Sequence, residues 1–387
     1  MRPIWKIVAI LLLVVLVFGA AGYLDRNPRK VDSELPDKSA AAVSASLEET
    51  EVIAAESMTT APAEETTMPP ETTLPPETEA QEELFQLTFV GDCTLGSSPF
   101  NYYAGVGFVQ TVGEDYGYPF RNVIAFFEND HATFVNLEGP LTDEGNPMEK
   151  KHAFHGPESF VNILTENSVE FASLANNHTN DYGEIGYSNT KRVLDSAGVP
   201  YVERDSSTLI TLDCGLTIGV YGMVYYGLDV SDMEQEIKAL KDQGAELVIV
   251  AAHWGNEGSY RPTDQQKKVG YAAIDAGADI VWGSHPHVLQ PIEEYNGGVI
   301  YYSLGNFSFG GNTAPRDLDS AIVTQEVIRD PQGNVTLGSR RVTPVSVSSV
   351  EGTNNFQPTP YAEDVRGYGR VLEKIEGTYE GRDLPIQ

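Results

Sequence analysis

The chain has 387 residues and a formal net charge of −31, from 56 acidic and 25 basic side chains. So large an excess of acid excludes a nucleic-acid binder, which needs a basic footprint against phosphates. It leaves divalent cations as natural partners, and two cysteines, Cys93 and Cys214, are too few for a disulfide framework.

Residues 2–24 read RPIWKIVAILLLVVLVFGAAGYL, with Arg2 and Lys6 and then no charge before Asp25. The uncharged run Ile7 to Leu24 is 18 residues, just long enough to cross a bilayer. Positive charge ahead of it and acid behind it set an N-in, C-out orientation. Gly19-Ala20-Ala21 also resembles a cleavage site. The expectation is an uncleaved single-pass anchor in the cell membrane, with a cleaved signal peptide as the alternative. Either exports the bulk of the chain. Residues 25–83 hold fifteen acidic and four basic side chains, a net −11, and no aromatic ring. Such a segment buries too little apolar surface to offset its conformational entropy, and its prolines and like charges keep it extended. It is expected to be a disordered stalk.

Taking the stalk's −11 and the first segment's +2 from −31 leaves −22 on residues 84–387. Here short apolar runs alternate with amphipathic stretches, the pattern of an α/β domain. The stretch GYSNTKRVLDSAG predicts a helix closed by Gly198. DMEQEIKALKDQG places Met233, Ile237 and Leu240 on one helical face and ends at Gly244. TDQQKKVGYAAIDAG starts with a capping box of Thr263 and Gln266 and closes at Gly277. SAIVTQEVIRDPQGNVTLGSRRVTPVSV predicts a hairpin turning at Asp330-Pro331-Gln332-Gly333. The folded domain is therefore placed at 84–350, with 351–387 as a C-terminal extension.

Six apolar runs end in polar residues: LTFVGD at Asp92, ATFVNLE at Glu138, FASLANNH at His178, LVIVAAHWG with His253, ADIVWGSHPH with His285 and His287, and VIYYSLGNF with Asn306. Ligands of open α/β sheets sit beyond the carboxyl ends of the strands. Singly, each residue has an ordinary explanation: His253 as a hydrogen-bonded structural residue, Asp92 as a helix cap, Asn176 or Asn177 in a turn, Glu138 in the turn before Gly139-Pro140. Jointly they point to one metal or anion site. Imidazole, carboxylate and amide oxygen suit zinc, manganese or iron, with no thiolate cluster present. His285 and His287, at i and i+2 around Pro286, are expected in an extended segment with both rings on one side.

The motifs GDCTLG, NLEGPLT, LANNHTNDYG, HWG, GSHPHVLQPIE and YYSLGNFSFG, in that order over residues 86–325, resemble the CapA/PgsA family of poly-γ-glutamate capsule biosynthesis proteins. That family resembles metallophosphoesterases. The resemblance implies a four-layer αββα sandwich with one or two divalent ions (Mn, Zn or Fe). Carried over by motif, Asp92 and Glu138 are carboxylate ligands, Glu138 bridging. Asn177 is an amide ligand, and His253, His285 and His287 complete the shells. His178 faces substrate as general acid or phosphoryl-oxygen donor. Asn176, Asp181, Trp254 and Asn306 support the ligands or face substrate. Two positions depart from the pattern: Thr94 stands where metallophosphoesterases have a ligand histidine, and Ser284 where many relatives have a histidine. The implied function is synthesis or export of an anionic capsule polymer, alongside capsule-synthesis membrane proteins. A secreted metal-dependent phosphoesterase and a non-catalytic polymer-binding module are the alternatives. The basic stretch EKKHAFHGP, Glu149 to Pro157, is either a contact for polymer carboxylates or a solvated loop.

Overall fold

A computed structural model describes residues 81–225 and 230–385. The expected anchor, and the stalk up to residue 80, lie outside the described residues. Among the described residues no helix is long and apolar enough to cross a membrane.

Among the described residues fourteen strands form two sheets. The first contains β1 (Glu83–Thr94), β2 (Ala132–Leu137), β3 (Phe171–Ser173), β4 (Tyr201–Val202), β11 (Asn306–Phe309), β12 (Asp319–Arg329), β13 (Val335–Ser346) and β14 (Thr359–Pro360). Its order is β14-β13-β12-β1-β2-β3-β4, and β11 pairs with the end of β1. Strands β1 to β4 run parallel, whereas β12 returns antiparallel to β1 and pairs with β13 in the predicted hairpin, Arg329 opposite Val335. The second sheet contains β5 (Ser206–Thr211), β6 (Thr217–Val224), β7 (Leu247–His253), β8 (Ile280–Ser284), β9 (Ile292–Tyr295) and β10 (Gly298–Tyr301). Its order is β5-β6-β7-β8-β10-β9, with the four inner strands parallel.

Every residue of β2 and β7 is buried, which is why both read as continuous apolar runs rather than alternating ones. One face of each sheet meets the other across a core that includes Phe89, Phe134, Phe171, Ile249, Trp282 and Tyr301. Phe89 stacks on Phe134 at 5.0 Å between centroids, and the Trp282 indole donates across the interface to the Val90 carbonyl at 3.0 Å. Each such side chain contributes about 1.5–3 kcal/mol when fully buried. The outer face of the first sheet is covered by short helices and Gly183–Ala197, and that of the second by Ser231–Asp242 and Asp264–Ala276. The layer order is helices, sheet, sheet, helices.

The helix ends follow the local signals. Thr263 and Gln266 make both bonds of the capping box, and Gly277 and Gly198 close their helices in the left-handed conformation. Met233, Ile237 and Leu240 are the buried face of their helix. Both cysteines are free thiols, Cys93 buried and Cys214 half-buried.

Residues beyond 350, set apart as an extension in the sequence reading, belong to the same compact unit. Helix Arg366–Ile375 packs Val371 and Ile375 against Leu289 and Ala321. Its Lys374, 2% exposed, reaches Asp317 and Asp319 at 2.6 Å each, while Arg370 forks onto Asp319. Burial favours the neutral acid, but these cations hold the Asp319 carboxyl below its usual range.

Candidate metal centre

The carboxyl ends of strands from both sheets meet at one edge. Gly91 lets β1 come against the loop before β11, since a Cβ there would lie 2.0 Å from the Gly305 carbonyl oxygen. The following residue, Asp92, bonds that carbonyl through its backbone N–H at 2.8 Å. Glu138 follows β2 directly, its N–H on the Cys93 carbonyl at 3.0 Å. His253 ends β7 and pairs in register with Ser284 at the end of β8. The turn His285-Pro286-His287 then crosses towards Asp92, whose Oδ2 accepts from the His285 N–H at 3.3 Å.

Asp92, Glu138 and His253 each offer one ligand atom, all within 4.8 Å of one another, and none is more than 1% exposed. The His253 Nε2 lies 2.9 Å from the Asn177 Oδ1 and 3.9 Å from the Glu138 Oε1. The His287 Nε2 also lies 3.9 Å from that Oε1, and its Nδ1 lies 3.2 Å from the Asp92 Oδ2 and 2.9 Å from the Asn306 Oδ1. Glu138 Oε1 is buried without a hydrogen-bond partner, as is the Nδ1 of His285.

These atoms fit a divalent cation. Two donors at about 2.1 Å from one ion lie at most about 4.2 Å apart, and Glu138 Oε1 meets that limit with both histidines. A carboxylate oxygen and an imidazole nitrogen buried without partners are costly unless something binds them.

The charge balance agrees. Burial, then the nearby Asp92, push the Glu138 carboxyl up to about 7. Burial carries His253 well below the usual imidazole range, and His285 down to about 4, with neighbouring imidazoles adding to both. Burial opposes the charge on His287, but Glu138 and Asp92 outweigh it and raise His287 to about 10. One proton thus compensates the carboxylates, in a place where two imidazoles are kept neutral and ready to coordinate.

The supporting residues form a chain of amides. Asn176 donates to the Asn136 Oδ1 at 3.1 Å and to the Leu137 carbonyl at 2.9 Å, and Asn136 donates to the Asp92 Oδ1 at 2.8 Å. The Asn176 Oδ1 accepts the His178 N–H, so this residue also shapes the turn. His178 sits beside the cluster with its Nδ1 2.7 Å from the Asp181 Oδ2. The buried Asp181 also accepts the Phe154 N–H at 2.7 Å and pairs with Lys150. Lys150, from the basic stretch, reaches the Asn177 carbonyl at 3.1 Å. Above the cluster is a cleft of about 120 Å³ whose walls include His152, His178, Glu257, His287, Asn306 and Arg316.

Two expectations are corrected. Trp254 faces neither substrate nor ligands: it is 1% exposed in the core between the second sheet and its helices, donating to the Tyr302 carbonyl at 2.9 Å. The indole of a residue next to a strand-end histidine points to the opposite face of the strand, which the alternation rule already demands. The 285–287 segment is not extended, since His285 and His287 have φ of 96° and 57°. Their ring centroids are 6.0 Å apart because the chain bends, not because it is straight. Sequence reasoning also missed three contributors. Thr94 donates to the Glu138 Oε2 at 3.0 Å. Asn136 holds Asp92. Glu257, four residues after His253, offers a ligand atom within 4.8 Å of His285 and His287, and its only signal was an acid inside HWGNEG.

Fold and site together define an α/β domain with a buried carboxylate–imidazole cluster suited to a divalent cation at its strand ends. The chain belongs to the bacterial capsule synthesis protein PGA_cap family, whose sequence model matches residues 86–311. It is 32% identical over 320 residues to the PGA biosynthesis protein CapA of Bacillus subtilis, covering 76% of this chain and 78% of that one. It is 31% identical over 280 residues to the capsule biosynthesis protein CapA of Bacillus anthracis, covering 65% of each. Among solved structures, the NAD nucleotidase of Haemophilus influenzae is similar with a TM-score of 0.38 and 11% identity, covering 77% of this chain and 56% of that one.

Proposed function

We propose that this chain is a membrane-anchored, extracytoplasmic component in the synthesis or export of an anionic capsule polymer such as poly-γ-glutamate, with a metal site at its strand ends. Family membership is the observation that carries this reading. The metal would be held by Asp92, Glu138, Asn177 and His253, with His285 and His287 on the other side of Glu138. The donors are oxygen and nitrogen without thiolate, which suits manganese, zinc or iron. When bound, such an ion supplies Lewis acidity and lowers the pKa of a coordinated water.

The protein's own groups do the rest. Asp181 fixes the His178 ring through Nδ1, leaving Nε2 to meet a polymer end or acceptor group in the cleft. Lys150 adds positive charge beside it. The domain is strongly acidic, so a polyanion approaches best where cations offset the repulsion, and this edge gathers them. The partners expected from this reading are capsule-synthesis membrane proteins and the polymer itself.

Deleting the gene in its parent bacterium should abolish γ-linked polyglutamate at the cell surface. Wild-type chain should restore it and Asp92→Asn should not. Unchanged polymer after deletion overturns the reading. The His178–Asp181 pair beside a metal-binding cluster favours a second reading, metal-dependent phosphoester hydrolysis. Hydrolysis of an aryl phosphodiester with manganese, lost in His178→Ala, would favour it.

A further inference from the structure

The Thr94 hydroxyl is committed to the Glu138 Oε2. On the far side of Glu138 the loop after β7 supplies a carboxylate. Gly255 and Gly258, at φ of 86° and 75°, turn this loop back, and the Gly258 N–H bonds the Pro286 carbonyl at 2.8 Å. Glu257 is thereby pinned against the His285-Pro286-His287 turn and lines the cleft.

We propose that Glu257 is a metal ligand, forming with His285 and His287 a second cation position that shares Glu138 with the first. Three observations converge on it. Glu257, His285 and His287 offer ligand atoms within 4.8 Å of one another. That envelope exceeds the reach of two donors on one ion, about 4.2 Å, by well under 1 Å, so a small side-chain adjustment closes it. His285 is 8% exposed and its Nδ1 is buried with no hydrogen-bond partner. Glu138 Oε1, also unpartnered, stands 3.9 Å from His253 Nε2 and 3.9 Å from His287 Nε2. A single carboxylate oxygen midway between two sets of nitrogen and oxygen donors is the arrangement a bridging ligand needs. The position's ligands are a carboxylate and two imidazoles, which suit manganese, iron or zinc.

The inference rests on the metal-site reading of the proposed function, and the test separates the two. The full-length chain is purified in detergent, stripped with EDTA, loaded with manganese, desalted and assayed for metal by plasma mass spectrometry. Wild type should hold two ions per chain and Glu257→Gln one, with Glu257→Asp keeping two. Glu257→Ala is the second variant and should match Glu257→Gln. Unfolding curves in EDTA should be the same for wild type and Glu257→Gln. A Glu257→Gln or Glu257→Ala chain that holds as many ions as wild type, whether two or one, overturns the role of Glu257. If wild type holds one ion that His253→Ala loses, the first position stands and only the second falls. A folded wild type that holds none overturns both.

Discussion

Glu138→Gln should change sign with pH and with metal. Glu138 is fully buried, and in the metal-free protein its carboxyl is pushed from 4.5 to about 7 by burial and then by Asp92. At about 1.4 kcal/mol for each pH unit, the ionised form costs the fold about 3 kcal/mol. A raised acid pKa means that this cost is absent below about pH 4.5, grows between 4.5 and 7, and is complete above 7. Glutamine keeps the shape and an oxygen to accept from Thr94, and it removes the charge. In EDTA at pH 8, Glu138→Gln should therefore be more stable than wild type by up to about 3 kcal/mol, a Tm rise of about 6 °C. In EDTA at pH 4.5 the two should coincide. With saturating manganese at pH 8 the order should reverse, because wild type gains binding free energy that the variant has lost. The assay is thermal unfolding of both chains in those three conditions. A Glu138→Gln chain less stable than wild type in EDTA at pH 8 would refute the reasoning, since Glu138 would then be satisfied inside the protein without a cation.

Three other outcomes follow from particular contacts. Metal binding should tighten as pH rises, because His287, raised to about 10, is protonated at neutral pH and must release that proton to coordinate. Titration calorimetry at pH 7 in two buffers of different ionisation heat should show at least one proton released, and none would contradict the ligand set. Lys374→Met should cost about 3 kcal/mol in denaturant unfolding, since it leaves Asp317 and Asp319 without their buried cation, Arg370 covering only Asp319. A loss under about 1 kcal/mol would show that the tail helix is not held by this pair. Asp181→Ala should speed limited tryptic cleavage after Lys150 or Lys151 by at least tenfold. It removes the acceptor of the Phe154 N–H and the partner of Lys150 and His178, and each 1.4 kcal/mol is a factor of ten in local opening. An unchanged digestion rate would mean that Asp181 does not hold that segment.

The parts of the fold that were legible are those set by local chemistry. Thr263 with Gln266, the glycines at 198 and 277, and the Asp330–Gly333 turn each encode a bond within a few residues, and each appears as read. The convergence of the strand ends was legible because six polar endings on apolar runs have few other uses. What one sequence without partners conceals is direction and distance in space. Trp254 reads as part of HWG, yet alternation along β7 turns it into the core. His285 and His287 read as an extended pair, but their backbone is bent by positive φ, a conformation that no side-chain pattern announces. Glu257 is brought to the histidines by a hydrogen bond between two loops, Gly258 to Pro286, and that contact has no sequence period. The tail after 350 reads as polar and featureless because its fully buried apolar side chains are few and scattered: among the described residues Phe356, Val371 and Ile375. Its polar holds on the domain, such as Lys374 and Arg370 on Asp319 and the Asn354 amide on the Phe309 carbonyl, reach partners more than 40 residues away.

The most direct test is anomalous diffraction at the manganese edge from crystals of the manganese-loaded chain. A peak bonded to Asp92, Glu138 and His253, with a second beside Glu257, His285 and His287, is the result predicted. Density confined to surface carboxylates, with no peak at Glu138, would contradict the metal centre that the functional reading places at the strand ends.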